Sequence, residues 1–148
     1  MSPGRPDLET IRRHLAALDA ALRQLRRHAQ NPLEVLRSNL DLLWAVERGL
    51  QLCVQNVLDV ATHLVASAGH DAPDYASAID QLAVLGILPL GFAKRLRAIA
   101  GFRNILVHGY LEVDVTRLHR VLSERLDDFV EFADQVDRYL ARAGEGEG

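Results

Sequence analysis

Between residues 103 and 110 the chain reads Arg-Asn-Ile-Leu-Val-His-Gly-Tyr, and three of these side chains, Arg103, His108 and Tyr110, suit chemistry on phosphate. A guanidinium is always charged and can grip two phosphate oxygens at once. An imidazole titrates near neutral pH, and a phenol adds a hydroxyl. One reaction that could use a histidine and an arginine so placed is cleavage of RNA: the ribose 2′-OH must lose a proton, negative charge grows on the phosphate oxygens, and the 5′-oxygen leaves. A histidine can take or give the proton while an arginine holds the phosphate, so the route to a 2′,3′-cyclic phosphate requires no metal and no cofactor.

The spacing constrains how such a site is built. Residues five apart on an ideal helix are rotated by roughly 140°, so Arg103 and His108 do not share a face. Either the helix ends at His108 and Gly109 turns the chain, or two copies of the motif face each other across a dimer axis. The open carbonyls of a helix end also favour a protonated imidazole. Plain structural roles compete with these. Arg103 can pair with Glu112 or Asp114, His108 can cap the helix, and Tyr110 can be an interface aromatic. Asn104 either steers the arginine or a catalytic water, or faces solvent. Upstream, Asp59 and His63 lie four apart among apolar neighbours. They are expected to hydrogen-bond each other, as an internal polar pair or with Asp59 lining the cleft and orienting Arg103 or His108.

The elements that position these residues follow from hydrophobic periodicity. Leu8, Ile11, Leu15, Leu18, Leu22 and Leu25 predict a first helix from about 7 to 28. Asn31-Pro32 is a break, with Asn as cap and Pro as first helical residue. A long second helix then runs to about Ala68, with so many apolar positions, Leu40 and Trp44 among them, that it is expected to be central and buried on two sides. Gly69 suits a C-terminal cap. A short helix over 74–85 stops at Gly86, a fourth begins at Pro89 and ends at Gly109, and Asp114 caps a last helix over 115–142. The expectation is an all-α antiparallel bundle of about five helices, with disordered ends at 1–6 and 143–148 around one domain at 7–142.

Composition narrows the function classes. The chain has 148 residues, enough for one core and too few for two. Its single cysteine, Cys53, excludes an intrachain disulfide and reads as a buried thiol, and no Cys/His spacing resembles a zinc site. No signal peptide or membrane span is recognisable, so a cytoplasmic location is expected. The net charge of −3 disfavours a general nucleic-acid binder, but bases gather at Lys94, Arg95, Arg97 and Arg103, just upstream of the motif.

The segment from Leu82 to Asp114, LAVLGILPLGFAKRLRAIAGFRNILVHGYLEVD, resembles the HEPN superfamily and within it the HepT-like (DUF86) proteins. The family motif, Arg-x4-His-x-Tyr, is matched by Arg103, His108 and Tyr110. AVERGLQLCVQNVLDVATHLVA, from Ala45 to Ala66, also resembles the corresponding family segment. The resemblance implies a homodimeric helical RNase toxin encoded beside an MntA-like nucleotidyltransferase antitoxin. That partner silences the toxin by transferring AMP to the motif tyrosine. Carried over, Arg103 and His108 are catalytic and Tyr110 is the modification site; the reading of the residues themselves adds Asn104 and Asp59 as supporting groups. The rival reading is a non-catalytic helical dimer that binds or neutralises a partner nucleotidyltransferase, since an Arg and a His can hold a phosphate without cutting it.

Overall fold

The computed structural model describes residues 6–108 and 114–145, and within them the side chains of Val107, His108 and Glu145 lie outside the description. The described residues form eight helices and no strand: α1 (Leu8–Arg26), α2 (Leu33–Ser38), α3 (Leu40–Ser67), α4 (Tyr75–Val84), α5 (Leu90–Leu96), α6 (Ala98–His108), α7 (Val115–Glu124) and α8 (Leu126–Glu145). The all-α expectation holds. The count of about five does not, because three of the expected long helices are each broken once.

The breaks have local causes. Asn39 adopts an extended backbone (φ −129°, ψ 99°), and its side chain accepts from the Leu42 N–H, so it ends α2 and caps α3 together. Pro32 occupies the cap position of α2 rather than the first helical position expected from Asn31-Pro32. Arg97 separates α5 from α6, and Arg125 (φ −118°, ψ 0°) separates α7 from α8, whose first turn then carries Asp127 and Asp128 at the positive helix end. The last helix runs to Glu145, beyond the boundary expected at 142. Asp7, Asp74 and Asp114 cap α1, α4 and α7 by accepting the N–H three residues on. Gly69 ends α3 in the left-handed region at φ 77°, with the His70 N–H returning to the Val65 carbonyl.

Helix α3 is central, in contact with α1, α2, α4, α6, α7 and α8. Its inward side, including Val46, Leu50, Val54, Val57 and Leu58, is fully buried. Leu40 and Trp44 are not part of that core as expected: they stand 60% and 63% exposed on the opposite side. Helix α1 packs tightly on α3 at Gly49, where a Cβ would lie 2.6 Å from Cδ2 of Leu25. Cys53 is buried, and burial pushes its thiol up to about 12, so it remains a neutral packing group. No helix among the described residues is long and apolar enough to cross a membrane.

Candidate active site

Arg103 lies on α6 one and a half turns before its end, where α6 packs against both α3 and α4. Its Nε donates to Oε1 of Gln55 on α3 at 3.3 Å. Gln55 in turn donates through Nε2 to Oδ1 of Asp59 at 2.8 Å, and more weakly to the Tyr75 hydroxyl at 3.5 Å. The chemistry of the three groups sets the direction of this chain. A guanidinium can only donate and a carboxylate can only accept, so the amide between them must turn its oxygen to Arg103 and its nitrogen to Asp59. The Tyr75 ring, at the start of α4, lies under the guanidinium with 5.2 Å between Cζ and the ring centroid.

The consequence is a half-buried arginine held on two sides with its far end uncommitted to these contacts. With Nε taken by Gln55, the two Nη groups make no hydrogen bond or ion pair among the described residues, an arrangement suited to bidentate capture of an oxyanion. Beside it opens a groove of about 550 Å³ lined by Tyr75, Asn104, Thr62, Ala100 and Gly101, with Asp74 at its edge. Asn104 is exposed and faces this groove. Hydrogen bonds from the backbone N–H and then the side chain of Ser77 hold the Asp74 carboxyl below its ordinary value, so it stays ionised as the cap of α4.

The sequence-derived candidates separate accordingly. Arg103, Asn104 and Asp59 converge on one region, Asp59 acting on Arg103 through Gln55. The pairing expected between Asp59 and His63 does not form. His63 instead accepts the Asp7 N–H through Nε2 at 3.1 Å, tying the start of α1 to α3, because an open donor at a helix N-terminus reaches the imidazole from that side. His108 is the last described residue of α6; its side chain lies outside the described residues, and so do Gly109, where the sequence predicts the helix to end, Tyr110 and Glu112. Asp114 serves as the α7 cap, accepting the Arg117 N–H. Two participants were missed. Gln55 sits four residues before Asp59, a spacing that puts both on one helix face, and that signal was readable. Tyr75 had none, since only the packing of α4 on α3 and α6 brings it beneath Arg103. Among the described residues no group of three His, Cys, Asp or Glu side chains is placed to hold a metal ion.

A family model described as ribonuclease HepT-like matches residues 18–136, a span that contains Gln55, Asp59, Tyr75 and the whole Arg103–Tyr110 motif. The chain belongs to this family. Among its HepT-like relatives, the tRNA nuclease HepT of Aphanizomenon flos-aquae is 26% identical over 132 residues, covering 88% of this chain and 89% of that one. The mRNA nuclease HepT of Shewanella oneidensis is 27% identical over 88 residues, covering 59% and 66%. The fold is shared with a solved tri-AMPylated HEPN toxin of Shewanella oneidensis in complex with its MNT antitoxin. The TM-score is 0.77 at 21% identity, over 87% of this chain and 97% of that one.

Proposed function

We propose that this HepT-like chain is a metal-independent endoribonuclease, the toxin of a toxin–antitoxin pair. The observation that carries the reading is Arg103 held through Nε by Gln55 and stacked on the Tyr75 ring, which itself lines the neighbouring open groove. A scissile phosphate held there has its developing charge neutralised, while His108 accepts the 2′-OH proton or protonates the leaving 5′-oxygen. The bond from the 2′-oxygen to phosphorus forms as the bond to the 5′-oxygen breaks, giving a 2′,3′-cyclic phosphate. The naming of two relatives as a tRNA nuclease and an mRNA nuclease supports RNA as the substrate class.

A base and an acid are both needed, and a homodimer supplies them from two protomers. Leu40, Trp44 and Leu52, each at least 36% exposed, are spaced four or eight apart along α3, next to the part-buried Gln55 and Asp59 on the helix projection. A second copy covering that apolar stripe brings two Arg103 groups toward one cleft. An MntA-like nucleotidyltransferase would silence the site by transferring AMP to Tyr110. The phosphodiester so formed adds an anion two residues from His108 that competes with substrate for Arg103. The AMPylated HEPN toxin found with its MNT antitoxin supports this mode of control.

The deciding experiment incubates the purified protein with RNA in EDTA. Cleavage that survives chelation and falls by about 10²–10³-fold in Arg103→Ala, with His108→Ala equally impaired, is the expected outcome. Intact RNA with the wild-type protein, and growth arrest only when the neighbouring transferase is also expressed, would favour a non-catalytic docking module instead. Tyr110→Phe is expected to cut RNA normally and to escape the antitoxin.

A further inference from the structure

A second concavity lies on the other side of α6, where α5, α6, α7 and α8 meet, with a volume of about 160 Å³. Its floor is apolar: Phe102 and Phe129 are buried, and Ile99 and Val121 are partly buried. Its rim carries Arg95 from α5, Arg117 and Arg120 from α7, and Arg125 from the junction of α7 and α8. Asp128, whose side chain is only 18% exposed, accepts from Arg95 Nε at 3.2 Å and pairs with Arg125 at 3.6 Å. The Arg95 guanidinium also rests on the Phe92 ring, 5.0 Å from its centroid.

Two of the four guanidiniums are therefore fixed before anything binds, which lowers the ordering cost of binding. Four cations against one carboxylate also gather positive potential here in a chain whose formal net charge is −3. A structural Arg–Asp cluster would account for Arg95, Arg125 and Asp128. It would not account for Arg117 and Arg120, exposed and three apart on α7, extending the same rim. An apolar slot edged by arginine forks is the arrangement that takes an unpaired base with its phosphates. A free phosphate would leave the floor unused.

We propose that this cleft anchors single-stranded RNA, with one unpaired base against Ile99 and Val121 and the adjoining phosphates on Arg117 and Arg120. The choice of RNA over other polyanions rests on the nuclease reading above. The test uses the full chain, a non-cleavable 2′-O-methyl single-stranded RNA carrying a fluorescent label, and the double variant Arg117→Glu/Arg120→Glu. Binding by anisotropy is expected to weaken at least about tenfold, with the slope of log affinity against log salt shallower by about 1.4 for two lost phosphate contacts. On cleavable RNA, KM rises by the same factor while kcat is unchanged. Val121→Trp, which fills the slot, weakens binding of unpaired RNA and leaves the salt slope as it is.

Binding of the double variant equal to wild type overturns the assignment, as does a Val121→Trp protein that binds normally. Loss of a complex with the transferase partner while RNA binding persists also overturns it, making the cleft a protein interface. The two readings fail separately. Arginine-dependent binding by a wild-type protein that cuts nothing removes the nuclease and keeps the anchor; cleavage with arginine-independent affinity does the reverse.

Discussion

Gly49 faces α1 and Gln55 faces α6 from the same helix, fewer than two turns apart along α3, and the two contacts are made by opposite means. At Gly49 the missing Cβ lets Leu25 of α1 lie against bare backbone, and nothing polar takes part. At Gln55 the contact is a directed relay from carboxylate to amide to guanidinium, beside an open groove. Shape complementarity holds α1 whatever the groove does. The relay fixes the direction in which one cation is held. On the proposed function, the difference teaches that stability and chemistry occupy separate faces of α3, so that each can be damaged alone.

The comparison breaks most visibly at Leu25, which is 1% exposed. Leu25→Ala is expected to destabilise the fold by about 2–5 kcal/mol in urea titration while RNA cleavage per folded molecule is unchanged. A comparable loss of specific activity would mean that the two faces are coupled. Gln55→Leu tests the other side. It should lower kcat by about ten- to a hundredfold through a loosened Arg103 and leave KM and the melting temperature nearly unaltered. A rise in KM alone would reassign Gln55 to substrate binding. Gly49→Ala sharpens the packing half. The new methyl must displace Leu25, at about 1–3 kcal/mol against a smaller gain in helix propensity. Because both changes share one volume, Gly49→Ala combined with Leu25→Ala should cost less than the sum of the two, and strict additivity would refute the contact.

The smallest effect concerns pH. Asp74 caps α4 at the groove edge, with its carboxyl held below the ordinary value of 3.8. The ionised form is therefore the one the folded state prefers. Its contribution is present above 3.8 and fades as pH falls through the lower folded value. The thermal midpoint of Asp74→Ala should lie slightly below that of the wild type at pH 6 and converge on it in acid; a gap that persists at low pH would point to lost packing instead.

Much of this was legible in the chain. Leu18, Leu22 and Leu25 announced the buried stripe of α1, and Asp114, Gly69 and Gly86 marked helix ends through capping and left-handed backbone. The centrality of α3 followed from its excess of apolar positions. The missed breaks at Asn39, Arg97 and Arg125 carry neither Pro nor Gly, so hydrophobic periodicity runs across them. At Asn39 the overlooked signal was a side chain able to bond its own backbone. Arg103 and Asp59 were found by residue type, but their link through Gln55 required knowing that α6 crosses α3 at that height. Trp44 was assigned inward because bulk and apolarity usually go together with burial.

Phe102 and Arg103 are neighbours on α6, and their side chains leave the helix about 100° apart, one toward the arginine-rimmed cleft and the other over the Tyr75 ring beside the groove. A strand engaged at both must bend around a cylinder roughly 10–12 Å across. Helix α6 would then act as a gauge. Fragments too short to make the bend would then be cut without being gripped, and the position of the scission would be counted from the base that was seized, not from the sequence around the cut.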